Sequence, residues 1–163
     1  RFNTPEKHPM KLEPIDYLPK VKCVNERPDP VFSRFLTSQL KVLNKVLMLR
    51  EDVEISLLFG SYARGDNDEQ SDWDIAIFFK DNNNAWNNLG KQEEIRHFIS
   101  LALGVDDSKV DLVDLFRGGL GINATVVEEG IPITGGNSLA LANYYQRIWA
   151  NLEDFYWNLD YVS

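Results

Sequence analysis

Hydrophobic and polar residues alternate in several short segments of this 163-residue chain. Between Val53 and Phe59 every second residue is large and apolar, which is the periodicity of a β-strand. Apolar residues also dominate 73–79 and 110–116, and we expect both segments to form strands, the second of them as a buried central strand. The short segment 131–134 contains a proline, which is tolerated at the edge of a sheet, and it is expected to add an edge strand.

Longer segments between these strands repeat their apolar residues at intervals of three and four, as amphipathic helices do. Asp29 is a favourable N-cap residue for the first of them. Helices are therefore expected over 31–50, from after 82–84 to about Leu103, over 122–129, and from an Asn137 cap to about Leu159. The combined pattern predicts an α/β (α+β) fold in which a mixed β-sheet is backed by helices, with a C-terminal helix.

The chain divides into three parts by composition. Residues 1–30 contain six of the seven prolines and show no sustained period, so we expect an irregular N-terminal leader. Residues 31–134 carry the strands and form the predicted domain, and residues 137–163 form the C-terminal helix after a hinge-like Gly135-Gly136 linker. The apolar stripe of that helix is strongly aromatic and comprises Leu141, Tyr145, Ile148, Trp149, Leu152, Phe155, Tyr156 and Leu159. It is expected either to pack on the domain or to contact a partner or a second copy.

Charge and cysteine content narrow the class of protein. The formal net charge is −8, which argues against direct nucleic-acid binding because phosphate contacts need clustered lysine and arginine. Cys23 is the only cysteine, so no intrachain disulfide forms and a cytoplasmic location is expected. No segment approaches the roughly 18 apolar residues that a membrane span requires, so no membrane association is expected.

The first strand ends at Gly60 and Ser61, in the sequence LLFGSYARG. Glycine lets a ligand approach the backbone because it has no Cβ, and serine offers a hydroxyl and an N–H where a short helical turn begins. These residues predict an anion site. Two roles remain open for Arg64: it reaches a triphosphate, or it pairs with an acidic residue of the polar loop 65–71.

Asp72 and Asp74 stand two residues apart on the next strand, so both carboxylates project from the same face. Two adjacent carboxylates repel each other unless something compensates their charge. Mg²⁺ is a hard cation that bridges protein carboxylates to substrate phosphates, and it suits this pair. A third carboxylate is available at Asp111, which alternation turns to the face opposite Val110 and Leu112.

These motifs together resemble the nucleotidyltransferase superfamily of the DNA polymerase β type. The chain has GSYARG, then an Asp-x-Asp pair beginning eleven residues after the serine, then VDLVDL on a later strand. In so short a chain the set is similar to the minimal nucleotidyltransferases that are paired, as antitoxins, with HEPN proteins. The resemblance covers roughly residues 31–134.

The resemblance implies a site and an activity. ATP is expected to bind through Gly60 and Ser61, with Arg64 as a further nucleotide-binding residue, and Asp72, Asp74 and Asp111 are expected to be catalytic and to hold two Mg²⁺ ions. The implied reaction transfers AMP from ATP to a hydroxyl, that of a tyrosine, on a partner HEPN ribonuclease toxin. Two alternatives stay open: an antitoxin that acts by binding alone, and an adenylyltransferase for a small molecule such as an aminoglycoside.

Overall fold

The computed structural model describes residues 30–81 and 85–162, with side chains described for residues 31–81 and 88–158. A short 3-10 helix, Asp107–Lys109, precedes the third strand. The other elements, in chain order, are α1 (Pro30–Met48), β1 (Val53–Phe59), α2 (Gly60–Arg64), β2 (Trp73–Phe79), α3 (Ala85–Leu103), β3 (Val110–Asp114), α4 (Leu120–Glu129), β4 (Ile131–Thr134) and α5 (Leu139–Val162). The predicted mixed sheet with helices and a C-terminal helix is confirmed.

The sheet has four strands in the order β3-β2-β1-β4. Strands β2 and β4 run antiparallel to β1, and β3 runs parallel to β2. Strand β4 lies at an edge, as expected. The expectation of a central position for the third strand is wrong, because β3 forms the other edge. It also ends at Asp114 and not at 116, because the N–H groups of Arg117 and Gly118 turn back to the carbonyl of Asp114.

Strand β1 departs from simple alternation. Its register with β2 shifts between Val53 and Ile55, so Val53 packs in the core on one face of the sheet while Ile55 and Leu57 pack in the core on the other. Leu58 lies on the same side as Val53. Both faces of this strand are therefore apolar and buried, as a central strand between two helical layers requires.

Helices cover the two faces of the sheet unequally. We call the side covered by α1 and α3 the sealed face, and the side partly covered by α4 and α5 the open face. The core under the sealed face is a continuous apolar layer, whose buried members include Leu43, Leu47, Trp73, Ile75, Ile77, Phe79, Ile95, Ile99, Val110 and Leu112. The open face combines an apolar core under α4 and α5 with aspartates on β2 and β3.

The start of α5 corrects two expectations. Ser138, and not Asn137, caps the helix, since its hydroxyl accepts a hydrogen bond from the N–H of Leu141 at 3.2 Å. The preceding Gly135 is not a hinge. It has φ +70°, and a Cβ built on it would lie 2.7 Å from Cγ2 of Ile55. The backbone there is packed directly against β1, which needs glycine for close approach.

Helix α5 is divided along its length. Its buried residues are Leu141, Tyr144, Ile148 and Leu152, so Tyr144, and not the expected Tyr145, takes the fully buried position. Beyond Leu152 the described aromatic side chains are exposed, namely Phe155, Tyr156 and Trp157. The first half of the stripe belongs to the core, and the second half is exposed at the surface.

Some of the expectations concern residues that the structure does not describe. The predicted leader and the Asp29 cap lie before residue 30, and the side chain of Leu159 lies beyond residue 158. Among the helices of the described residues, none is long and apolar enough to cross a bilayer.

Candidate active site

The turn between β1 and α2 depends on Gly60. This residue is buried and has φ +73°, a backbone conformation that disfavours any side chain. A Cβ placed there would overlap the carboxylate of Asp74, reaching 2.9 Å from its Cγ. The turn is therefore packed directly against the second strand, at the point where its aspartate projects.

Helix α2 is fastened to β2 by aromatic stacking. The rings of Tyr62 and Trp73 lie 3.9 Å apart between centroids and are inclined by only 11°. The carbonyl of Ser61 accepts hydrogen bonds from the N–H groups of Gly65 and Asp66, which ends the helix. These contacts hold the half-buried Ser61 beside the start of β2.

Strand pairing brings the predicted carboxylates together. Asp74 pairs with Phe59 of β1 on one side and with Asp111 of the parallel strand β3 on the other. Residues in register on neighbouring strands direct their side chains to the same face, so Asp74 and Asp111 are cross-strand neighbours on the open face. Asp72 immediately precedes β2, two residues from Asp74. We call this end of the open face the acidic corner.

The negative charges of the neighbouring carboxylates at the acidic corner disfavour one another. Burial, followed by the negative charges of Asp111 and Asp72, raises the pKa of Asp74 to about 6, and the Arg64 charge opposes this shift. Among the described residues, the ion pairs include none with Asp74 or Asp111. The negative charge of these two carboxylates therefore has no directly paired ammonium or guanidinium group in the part of the chain that the structure describes.

Asp72 differs from the other two aspartates. Lys109 Nζ lies 3.3 Å from its Oδ1 and also donates a hydrogen bond to the carbonyl of Gln70 at 2.7 Å. Within the described residues no three potential ligands converge on one point, and Asp72 is held toward Lys109 instead. The donor set still fits a hard divalent cation, because it consists of carboxylates, one of them half-buried with a raised pKa.

Arg64 pairs with acidic residues on two sides. Its Nε donates to Asp66 Oδ2 at 3.1 Å, and its Nη1 donates to both carboxylate oxygens of Glu129, at 2.9 and 3.1 Å. The hydrogen bonds that Arg64 donates to Asp66, and then those to Glu129, raise the pKa of Arg64. The pairing with the loop acid is thus present, while contact with a triphosphate stays a prediction.

Sequence reasoning missed two residues at this site. Lys109 directly precedes the VDLVDL motif, two residues before Asp111, and this spacing was a signal that could have placed it near the carboxylates. Glu129 left no such signal, because it lies 69 residues from Gly60 and reaches it only through the packing of α4. Asp114, by contrast, is the buried last residue of β3 and accepts a hydrogen bond from the N–H of Phe116 at 3.0 Å.

Comparisons with known proteins agree with this geometry. The sequence profile described as "Polymerase beta, Nucleotidyltransferase" matches residues 41–138. A protein of Methanocaldococcus jannaschii, to which protein adenylyltransferase activity has been assigned provisionally, is 36% identical over 74 residues, which make up 45% of this chain and 69% of that protein.

Solved structures share the fold. A chain from a toxin–antitoxin crystal structure with AMP-PNP has a TM-score of 0.61 and 22% identity, over 76% of this chain and 94% of that chain. A chain from the complex of a tri-AMPylated HEPN toxin of Shewanella oneidensis with an MNT antitoxin has a TM-score of 0.55 and 21% identity, over 76% of this chain and 94% of that chain. At these identities the likeness is one of fold.

Proposed function

The chain belongs to the polymerase β nucleotidyltransferase family, and we propose that it transfers AMP from ATP to a hydroxyl group of a partner protein. The observation that most supports this proposal is the register pairing of Asp74 with Asp111 beside the Gly60-Ser61 turn. That arrangement combines carboxylates for a cation with a backbone turn that a phosphate can approach. A nucleoside triphosphate with bound Mg²⁺ requires both features.

Asp72, Asp74 and Asp111 are the residues that would hold Mg²⁺, two ions in this proposal. When bound, the cation neutralises charge on the triphosphate and on the departing pyrophosphate. Binding would also offset the charges of Asp111 and Asp72, which add to burial in raising the pKa of Asp74. Loss of the Asp72 pairing with Lys109 would free that ammonium group to face the substrate.

The remaining residues orient the reactants. Gly60 gives the phosphates room to approach, and the Ser61 hydroxyl and N–H donate hydrogen bonds to the phosphate oxygens. The acceptor oxygen attacks the α-phosphorus, the bond from that phosphorus to the bridging oxygen breaks, and pyrophosphate departs with the electron pair. Asp111, exposed at the rim, is the carboxylate available to receive the hydroxyl proton if it is not occupied as a ligand.

The proposed acceptor is a tyrosine hydroxyl on a HEPN-class toxin, which makes the chain an antitoxin. A protein acceptor is supported by the activity assigned to the M. jannaschii relative, and the HEPN class is supported by the complexes that share the fold. The exposed aromatic end of α5, residues 155–157, is the surface we propose for contact with that partner.

The test is to incubate the chain with ATP, Mg²⁺ and the HEPN-class protein encoded beside its gene, and to weigh that protein by intact mass spectrometry. We expect a gain of AMP units that requires Mg²⁺ and falls by orders of magnitude in the double variant Asp72→Asn/Asp74→Asn. Glu69→Gln changes an exposed acid of the loop that precedes these aspartates; it is the matched control and should leave transfer unchanged.

Other outcomes identify the alternatives. If the double variant still silences the toxin as well as the wild type does, the chain acts by binding and the proposal fails. If the partner gains no mass while an aminoglycoside does, the acceptor is a small molecule.

A further inference from the structure

Glu129 lies outside the sequence motifs, yet its side chain accepts several hydrogen bonds beside the acidic corner. Its Oε1 accepts hydrogen bonds from the backbone N–H of Gly60 and from Arg64 Nη1, both at 2.9 Å. Its Oε2 lies 3.1 Å from the same Arg64 nitrogen. The Glu129 side chain is 20% exposed and that of Arg64 is 45% exposed. The hydrogen bond to Gly60 is therefore partly buried, while the charge-assisted hydrogen bonds to Arg64 are open to solvent.

The backbone that carries Glu129 is held in place independently of these contacts. Glu129 is the last residue of α4, whose Val126 is fully buried in the core of the open face. At the following Gly130 a Cβ would overlap the carbonyl of Val126 and lie 3.1 Å from Leu57 of β1. The end of α4 is thus pressed against β1, and Glu129 extends from that rigid point to the turn that follows β1.

These contacts limit what Glu129 can do. Both of its oxygens are engaged by donors of this chain, so it is poorly placed to receive a proton from a substrate or to ligate a cation. The N–H of Gly60 is also engaged, so a phosphate bound at this turn would need other donors, among them the N–H and hydroxyl of Ser61. The orientation of Ser61 then depends on how the Gly60 turn is held.

We infer that Glu129 is a positioning residue for nucleotide transfer, whose carboxylate bridges the Gly60 N–H and the Arg64 guanidinium and so fixes the phosphate-binding turn relative to Asp74. This inference rests on the proposed function. Arg64 belongs to the same unit, since it connects Glu129 to Asp66 in the loop that leads to Asp72. The start of that loop is thereby tied to α4.

Kinetics on the wild type, Glu129→Gln and Glu129→Ala test the inference. Because small misplacements of reacting groups cost up to about a hundredfold in rate, we expect Glu129→Ala to raise the KM for ATP and lower kcat/KM by about tenfold to a hundredfold. Glu129→Gln keeps one acceptor oxygen and should lose less. Glu128→Ala, an exposed neighbour on the same helix, is the matched control and should match the wild type.

A double-mutant cycle separates positioning from general loss of stability. If Glu129 and Arg64 act as one unit, Glu129→Ala/Arg64→Ala should be no slower than the worse single variant. Independent, additive losses would overturn the inference. So would a Glu129→Ala variant whose melting temperature falls while its KM for ATP and kcat stay at wild-type values.

Hydrogen exchange at the Gly60 amide tests the bridge without relying on catalysis. The amide should exchange at least about tenfold faster in Glu129→Ala than in Glu128→Ala, because it loses its acceptor. Equal exchange would contradict the bridge. A wild type that transfers no AMP but shows the exchange difference would count against the proposed function and leave the bridge supported.

Discussion

The two faces of the sheet differ in character: the sealed face is apolar core, and the open face carries the aspartates of the candidate site. On β2, Trp73, Ile75 and Ile77 point into the sealed face and are buried among the side chains of α1 and α3. Asp74, between two of them in sequence, points to the open face, where it is half-buried beside Asp111. A single alternating strand therefore supplies apolar burial on one side and uncompensated charge on the other.

This difference explains how the fold tolerates its own site. Burial of apolar surface, which is continuous under the sealed face, stabilises the fold by roughly 25 cal/mol per Å². The acidic corner acts in the opposite direction, since the pKa of Asp74 is raised by its surroundings. Mutations on the two faces should thus separate stability from activity.

The largest effect on stability should come from the sealed face. Ile99 of α3 is fully buried, and Ile99→Ala should lower the free energy of unfolding by about 2–5 kcal/mol through lost burial and a cavity. The kcat/KM of the folded protein should stay within about twofold, because the residue is in the layer on the far side of the sheet from the corner. Denaturant unfolding and initial-rate kinetics measure the two quantities, and a large loss of kcat/KM would show that the faces are coupled.

The largest effect on activity from a single methyl group should come from Gly60→Ala. The new Cβ meets the Asp74 carboxylate and forces a positive φ on alanine, so the turn must shift. We expect AMP transfer to fall by about a hundredfold or more. Gly121→Ala, on α4 where a Cβ meets nothing within 4 Å, is the matched control and should be neutral. Wild-type transfer by Gly60→Ala would contradict the close approach.

A smaller effect, this time a gain in stability, is expected from Asp74→Asn in metal-free buffer. Since the pKa of Asp74 is about 6 in the folded chain and 3.8 in the reference state, the folded protein binds this proton more tightly. The aspartate therefore lowers stability progressively as pH rises from about 4 to 6. At pH 7 the variant should be more stable by about 1 kcal/mol after allowance for solvent screening, and at pH 4 equal. Thermal melts at both pH values measure this, and a less stable variant at pH 7 would be the opposite result.

The sequence predicts well the features that depend on neighbouring residues, and it predicts poorly those that depend on contacts between distant segments. The bounds of β1 and β2 follow from alternation within a few residues. The shared face of Asp74 and Asp111 does not, because it depends on the register between β2 and β3. The edge position of β3 does not, because it depends on which strand pairs with which. At α5 the choice between Tyr144 and Tyr145 is a rotation of about 100° that helical spacing alone leaves open.

The supporting contacts of the site are the least predictable part. Glu129 reaches Gly60 only after α4 has packed against β1, so no window of sequence around the motif contains it. Lys109 is nearer, but its pairing with Asp72 also depends on β3 lying parallel beside β2. Motifs therefore identify residues that meet the substrate more readily than residues that hold them.

The central claim is that the acidic corner of the open face binds a triphosphate together with Mg²⁺. Isothermal titration calorimetry with a non-hydrolysable ATP analogue, with and without Mg²⁺, tests it most directly in wild type and Asp74→Asn at pH 7.5. We predict binding by the wild type that requires Mg²⁺ and is lost in the variant. Binding of equal strength in both proteins, or binding indifferent to Mg²⁺, would contradict the account.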